Sequence, residues 1–331
     1  MNPFSLAWES ILHFSLADTL AQISEALHNL HFIPWYSLSQ LNWNDIIKLI
    51  SSGDAFAATP FGEYCAQYAA VMTNWAYTMA AVVSIIILLC KRNKKWFWYV
   101  FFAIVAVMSV TSVGMHTADY GEFVPGTITT KLLASFVDMS FTELMAWSGV
   151  LCFIFEFYTD KKARNRFAWI VTAWSVFILL MLAFEVFVQK NRPLWIGGRD
   201  ALGLPYDMGG DHGGLSFAEF GCFITCLPLL FILFTKFKTI PKKERGLVIL
   251  LLSTFALAFV ITSLWGDNEV NFLLQGNLQG HSLWHLLTAI GTMLAVIWVD
   301  NRTENQNRQK EIDAAVEKAL AEKQKVNAGT V

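Results

Sequence analysis

The chain has 331 residues, of which 55% are apolar and only 15% are charged, and it contains 13 Trp and 27 Phe. This composition excludes an ordinary soluble domain of that length and indicates a polytopic membrane protein. The formal net charge of −2 gives no reason to expect a nucleic-acid partner. The five cysteines are odd in number and lack Cys-x-x-Cys spacing, which argues against a disulfide framework and a structural zinc site.

Residues 1–65 form a polar to amphipathic segment ahead of the first long apolar run. Leu and Ile recur at spacings of three and four between Leu6 and Leu27, which predicts an amphipathic helix. Pro34 is expected to end this helix. We expect the segment to lie along the membrane or to cap one face of the helix bundle, because aromatic residues typical of a membrane interface follow it.

Seven apolar runs follow, each long enough for the roughly 20 residues that a helix needs to cross a bilayer. The sequence therefore predicts an all-α integral membrane protein with a seven-helix transmembrane bundle over residues 66–299. Residues 300–331 mix acidic and basic side chains with Ala, Val and Leu, which predicts a charged cytoplasmic tail, either a solvated helix or a loosely ordered segment. The runs lie at about 66–90, 96–118, 131–157, 167–189, 216–236, 245–265 and 281–299.

Basic residues are unevenly distributed among the links between these runs. They cluster after the first, third and fifth runs and in the tail, whereas the links at 119–130 and 266–280 have none. Positive residues remain on the cytoplasmic side of a membrane, so the pattern predicts an external N-terminus and a cytoplasmic C-terminus. The expected location is the inner membrane of a cell.

The three best candidates for a functional site are groups of polar residues inside the predicted spanning helices, where such residues are costly. Ser112 and His116 are four residues apart, on one face at the end of the second run. Asp138 lies early in the third run, and His281 and His285 share a face at the start of the seventh. The predicted topology places all five at similar depth in the exoplasmic half of the membrane.

These residue types suit one kind of chemistry. Three neutral imidazoles can hold zinc in a tetrahedral site with one open position, and zinc lowers the pKa of a bound water toward about 7. Asp138 could move a proton between that water and a leaving group, and Ser112 could donate a hydrogen bond to an oxyanion. Alternatively, the same residues could simply pack the helices together by bonding to one another. Glu143, five residues after Asp138, could hold the Asp138 side chain in position without contacting the metal itself.

Two short segments and one single residue resemble a known family. They are TSVGMHT at 111–117, Asp138, and GHSLWHLL at 280–287, in which Trp284 precedes the second histidine. Together they resemble the alkaline ceramidases and their bacterial relatives, within the superfamily of seven-helix membrane hydrolases that includes the progestin and adipoQ receptors. Thr73 and Asn74 resemble part of the family's first helix. The resemblance covers residues 65–299 in the number and order of helices.

The resemblance implies a zinc amidase that cleaves the amide of ceramide, a sphingolipid, into a sphingoid base and a fatty acid. The substrate would be a membrane lipid. By resemblance, His116, His281 and His285 are the zinc ligands, Asp138 transfers the proton, and Ser112 assists at the oxyanion.

The chain departs from the family pattern at two places. The interval between His116 and Asp138 is longer than in the family, which leaves Asp119 and Glu122 as alternatives to Asp138. The acidic cluster that binds calcium in some members is matched only by Glu63, so calcium is a secondary expectation beside zinc.

Two other functions remain open from the sequence. A receptor-like member of the same superfamily would bind zinc without turning over substrate. A membrane cytochrome would use the histidines as haem ligands, although a pair one turn apart on one helix better suits a single metal ion.

Overall fold

The computed structural model describes residues 11–29, 68–117, 124, 126–190, 216–265 and 280–328. The side chains of some helical residues, His281 among them, are outside the description. All regular structure in the described ranges is helical, and no strand occurs there. The helices are α1 (Leu16–His28), α2 (Tyr68–Cys90), α3 (Trp96–Thr117), α4 (Thr130–Phe157), α5 (Lys161–Ala183), α6 (Ser216–Lys236), α7 (Lys242–Trp265) and α8 (Gly280–Ala328). A π-helical turn, Phe184–Val188, continues α5, and a 3-10 turn, Phe237–Thr239, follows α6.

Five helices in the described part of the chain are long and apolar enough to cross a membrane, which is typical of a multi-pass membrane protein. Helices α6 and α7 have 21 and 24 residues and coincide with the fifth and sixth predicted runs, but some of their side chains are not described. The five apolar spans are Thr73–Cys90, Trp96–His116, Thr130–Phe157, Lys161–Val188 and Ser282–Glu322.

Two helices extend beyond the predicted runs. Helix α5 begins at Lys161, six residues before its predicted start, because Asp160 caps it by accepting hydrogen bonds from the backbone N–H groups of Lys162 and Ala163 at 3.2 and 3.0 Å. Helix α8 does not end at 299: it continues to Ala328 as one helix of 49 residues. The part of the charged tail up to 328 is therefore the continuation of the last apolar helix.

Part of the predicted amphipathic helix occurs as α1, which begins only at Leu16 and ends at His28. Leu6 and Pro34 lie outside the described residues. Ser15 caps it by accepting a hydrogen bond from the backbone N–H of Asp18 at 3.3 Å. Ala26 is buried against Ile128 and Leu133, at the start of α4. The backbone N–H of Ile128 also donates to the Gln22 side chain at 3.0 Å. Helix α1 therefore docks on the end of the bundle at which α4 begins.

The apolar helices pack in a connected series. Helix α2 contacts α3 and α8, α4 contacts α3, α5 and α6, and α7 contacts α8. Aromatic residues fill the core near the start of α3: the rings of Trp98 and Trp298 meet edge to face at 6.0 Å, and Phe153 stacks on Trp298 at 5.2 Å. Such pairs contribute about 0.5–1.5 kcal/mol each beyond simple burial.

At the same end of the bundle, four charged residues from separate elements form a group, here called the charge cluster: Lys95, Glu156, Glu244 and Arg302. Glu156 Oε1 accepts from Lys95 Nζ at 2.6 Å and from Arg302 Nε at 2.7 Å, and Arg302 also pairs with Glu244 at 3.4 Å. Burial lowers the pKa of Lys95, and the Glu156 carboxylate opposes that shift. The charge cluster joins the α2–α3 link, the end of α4, the start of α7 and the middle of α8.

Two carboxylates at this end of the protein should differ in how much their removal lowers the free energy of unfolding. Glu156→Gln leaves Lys95 and Arg302 without their shared partner, so we expect the free energy of unfolding to fall by about 3 kcal/mol. Glu304→Gln removes only an exposed pair with Arg308, 3.3 Å apart, and should leave stability nearly unchanged. Unfolding of the purified protein in detergent measures both. Equal losses for the two variants would contradict a structural role for the charge cluster.

Candidate active site

Two of the predicted metal ligands lie together inside the bundle. His116 is in the last turn of α3 and His285 is in the second turn of α8, and both are buried. Their ring centres are 5.8 Å apart, with the planes inclined by 62°. The histidines come from distant parts of the chain, so helix packing brings them together. Two imidazoles that share one zinc through Zn–N bonds of about 2.0–2.1 Å have ring centres roughly 5–6 Å apart, so this pair fits the ion.

Helix α2 holds the His285 ring from the side. Its Nδ1 lies 3.0 Å from Thr73 Oγ1 and 3.2 Å from the backbone carbonyl oxygen of Ala70. A carbonyl can only accept, so a hydrogen bond to Ala70 uses the tautomer with the proton on Nδ1, whereas the Thr73 hydroxyl suits either tautomer. The lone pair of the neutral ring is then on Nε2. Metal-binding histidines usually have this arrangement, in which the other ring nitrogen donates to a carbonyl.

Ser112 is linked to α2 as well. Asn74 Nδ2 donates to Ser112 Oγ at 3.0 Å, and both side chains are buried. Because the serine oxygen accepts from Asn74, its own proton can be donated to a third group. One turn further along, the hydroxyls of Thr78 and Ser109 are 2.7 Å apart. A series of polar contacts therefore joins α2 to α3 close to the two histidines.

Asp138 is buried in α4, the helix that packs on α3. Ser135, three residues earlier and on the same face, donates to the sulfur of Met115 at 3.4 Å. Met115 is the neighbour of His116, so the face of α4 that includes Asp138 is directed toward the end of α3. Asp138 is thus on the same side of the bundle as the histidine pair.

Glu143 is completely buried and contacts α6. The Thr225 hydroxyl on α6 lies 2.9 and 3.0 Å from its two carboxylate oxygens. The indole N–H of Trp174 on α5 donates to the same hydroxyl at 3.1 Å. Glu143 therefore links α4 to α5 and α6.

His281, the third predicted ligand, lies in the first turn of α8, one turn before His285, and its side chain is outside the described part of the structure. Asp119, Glu122 and Glu63 also lie outside it. Among the described residues, no group of three or more His, Cys, Asp or Glu side chains could hold a metal ion.

Two polar atoms near the histidines are buried and have no hydrogen-bond partner within the described residues. One is Asn74 Oδ1 and the other is Ser282 Oγ, which lies three residues before His285. Buried polar atoms are almost always hydrogen-bonded in proteins, so such exceptions mark a place for water or a polar ligand group.

Reasoning from the sequence marked Asn74 as a residue that could bond to another helix, but it assigned no group the role of orienting the site residues. The orienting groups are the Thr73 hydroxyl, the Ala70 carbonyl and the Asn74 amide, all on α2. Asn74 has a sequence signal, since an amide inside an apolar run needs a partner on another helix. The Ala70 carbonyl has no sequence signal, because every residue carries a backbone carbonyl group.

Comparison of the chain with protein-family models, with curated proteins and with solved structures finds no match in any of the three.

The Asn74–Ser112 hydrogen bond predicts energetic coupling between α2 and α3. In a double-mutant cycle, Asn74→Ala and Ser112→Ala should show a coupling of about 0.6 kcal/mol, the average for hydrogen bonds between membrane helices. Ser84, two to three turns further along α2, bonds to Ala80 and Met293 instead, so Ser84→Ala should be additive with Ser112→Ala. Unfolding of the single and double variants in detergent measures both cycles. Additivity in the Asn74 cycle would show that the bond does not hold the helices together.

Proposed function

We propose that the protein is a zinc-dependent hydrolase that cleaves a lipid amide within the membrane. His116, His281 and His285 are its zinc ligands. The observation that best supports the proposal is the closeness of the buried His116 and His285 rings, 5.8 Å apart, with His285 Nδ1 directed to a carbonyl oxygen. A histidine that only packed helices together would not need a second imidazole beside it.

The proposed bundle has seven spanning helices, with the N-terminus outside and the C-terminus in the cytoplasm of a cell whose inner membrane contains the protein. The lengths of the helices and the distribution of basic residues support it. The site then lies in the exoplasmic half of the bilayer. A lipid can reach that depth from the outer leaflet without leaving the membrane.

When bound, zinc polarises a carbonyl oxygen and makes a water molecule acidic at neutral pH. Residues of the chain transfer the proton and stabilise the oxyanion. Asp138 takes a proton from the attacking water and gives it to the amide nitrogen as the C–N bond breaks and the C–O bond forms. Ser112, whose oxygen accepts from Asn74, donates its proton in a hydrogen bond to the oxyanion. The products are an amine and a fatty acid.

The choice of substrate rests on the resemblance to the alkaline ceramidases. On this basis we propose ceramide as the substrate, with a sphingoid base and a fatty acid as the products.

The ligand assignment predicts zinc loss from two variants. His116→Ala and His285→Ala should each lower the zinc content of the purified protein to background, because two histidines do not complete a catalytic site. His28, at the end of α1, is exposed and remote from the bundle core, so His28→Ala should retain zinc and serves as the control. Mass spectrometry of the purified proteins measures their zinc content. Normal zinc in both core variants would refute the ligand assignment.

The catalytic assignment predicts activity loss without zinc loss. We expect Asp138→Asn to lower ceramide hydrolysis by about 10²–10⁴-fold and Ser112→Ala by about 10²–10³-fold, with zinc content unchanged. Release of fatty acid from lipid extracts measures the rate. Zinc in the wild-type protein with no released fatty acid from any amide lipid would favour the receptor-like function instead.

A further inference from the structure

The second half of α8 stands apart from the bundle. At 1.5 Å per residue its 49 residues extend about 74 Å, more than twice the roughly 30 Å of a bilayer's hydrocarbon core. Every side chain from 307 to 322 is exposed. This part of α8 therefore makes no packing contact that buries it within the described chain.

One face of this projecting helix is apolar. Ile312, Val316 and Leu320, here called the apolar stripe, recur every four residues and are 49%, 53% and 57% exposed. Ala319 lies between the last two on the same side. An apolar face on an otherwise polar helix is typical of a helix that packs against another surface, so we infer that the apolar stripe has a partner.

We propose that the partner is α8 of a second copy of this chain, in a parallel two-stranded coiled coil. In a heptad register, Ile312 and Ala319 occupy d positions and Val316 the a position between them, so they face the other helix, and Leu320 occupies the adjoining e position at the edge of the contact. Arg308 then occupies a g position and Asp313 the following e position, where the Arg308 of one copy meets the Asp313 of the other. The arrangement is symmetric, so two such pairs flank the apolar stripe.

The parallel arrangement follows from the continuity of α8 with an apolar helix. Two copies inserted in one membrane with the same orientation project their tails on the same side and in the same direction. The contact is then a two-fold interface with its axis along the membrane normal.

A membrane surface suits this helix less well. Between Gly291 and the end of α8 there is no Gly or Pro at which the helix could turn into the membrane plane. Residues 303–325 contain five acidic and five basic side chains, which sum to no net charge, whereas helices that lie on membranes are rich in Lys and Arg.

Disulfide cross-linking in membranes tests which face meets a partner. Val316→Cys in the full-length protein should give a cross-linked dimer at several times the yield of Lys318→Cys, which lies on the opposite side of the helix. The wild-type protein, with its five native cysteines, sets the baseline. Equal yields, a cross-link to a different protein, or protection of Val316→Cys from a water-soluble maleimide without any dimer would each overturn the proposal.

Charge reversal tests the register and the identity of the partner. Asp313→Arg places like charges against Arg308 of the second copy and should weaken dimerisation about three- to tenfold. Adding Arg308→Glu restores opposite pairs and should restore the dimer. The masses of the full-length variants in detergent measure the fraction of dimer. Circular dichroism shows whether α8 remains helical. This control is needed because Arg308 and Asp313 also bond within the helix to Glu304 and Gln309. Failure of the second substitution to restore the dimer would overturn the register. Zinc content and lipid hydrolysis are measured separately and do not depend on this outcome.

Discussion

The hydrogen bond between His285 Nδ1 and the carbonyl oxygen of Ala70 is the contact on which the candidate site depends. It holds the ring beside His116 and ties α8 to α2. Helix α2 is itself tied to α3 by the Asn74–Ser112 bond. Where little water is available, an unsatisfied polar group costs several kcal/mol, so such contacts restrict how the helices can rotate and slide. Helix α2 thus positions groups from both of its neighbours.

The bundle holds polar groups at two separate levels. The candidate site lies where α3 ends and α8 begins, and the charge cluster lies where α3 begins, beside the middle of α8. The aromatic core around Trp98 and Trp298 fills the space next to the charge cluster. Helix α8 contributes to every one of these features and then projects as a helix with an apolar stripe. One continuous helix therefore connects the proposed chemistry to the proposed assembly.

The sequence predicted the helices more accurately than their limits. Apolar runs predicted α2, α3, α4 and α6 within about two residues, but α5 begins earlier because Asp160 caps it, and α8 extends far past its apolar part. The charged half of α8 is too polar to appear as an apolar run, and its sequence is compatible with a solvated helix or a loosely ordered segment. Its helicity follows from the spanning part, which has already formed the costly first turns that a new helix needs.

The sequence by itself determined that the described regular structure is helical and that polar residues inside apolar runs are the site candidates. Both follow from local chemistry, because an apolar segment must satisfy its backbone internally and a buried polar side chain is expensive. Only the tertiary structure decided which of those residues meet. It joined His116 to His285 and directed Glu143 to Thr225 on α6. These pairings depend on how helices from distant parts of the chain pack, and no local pattern specifies that.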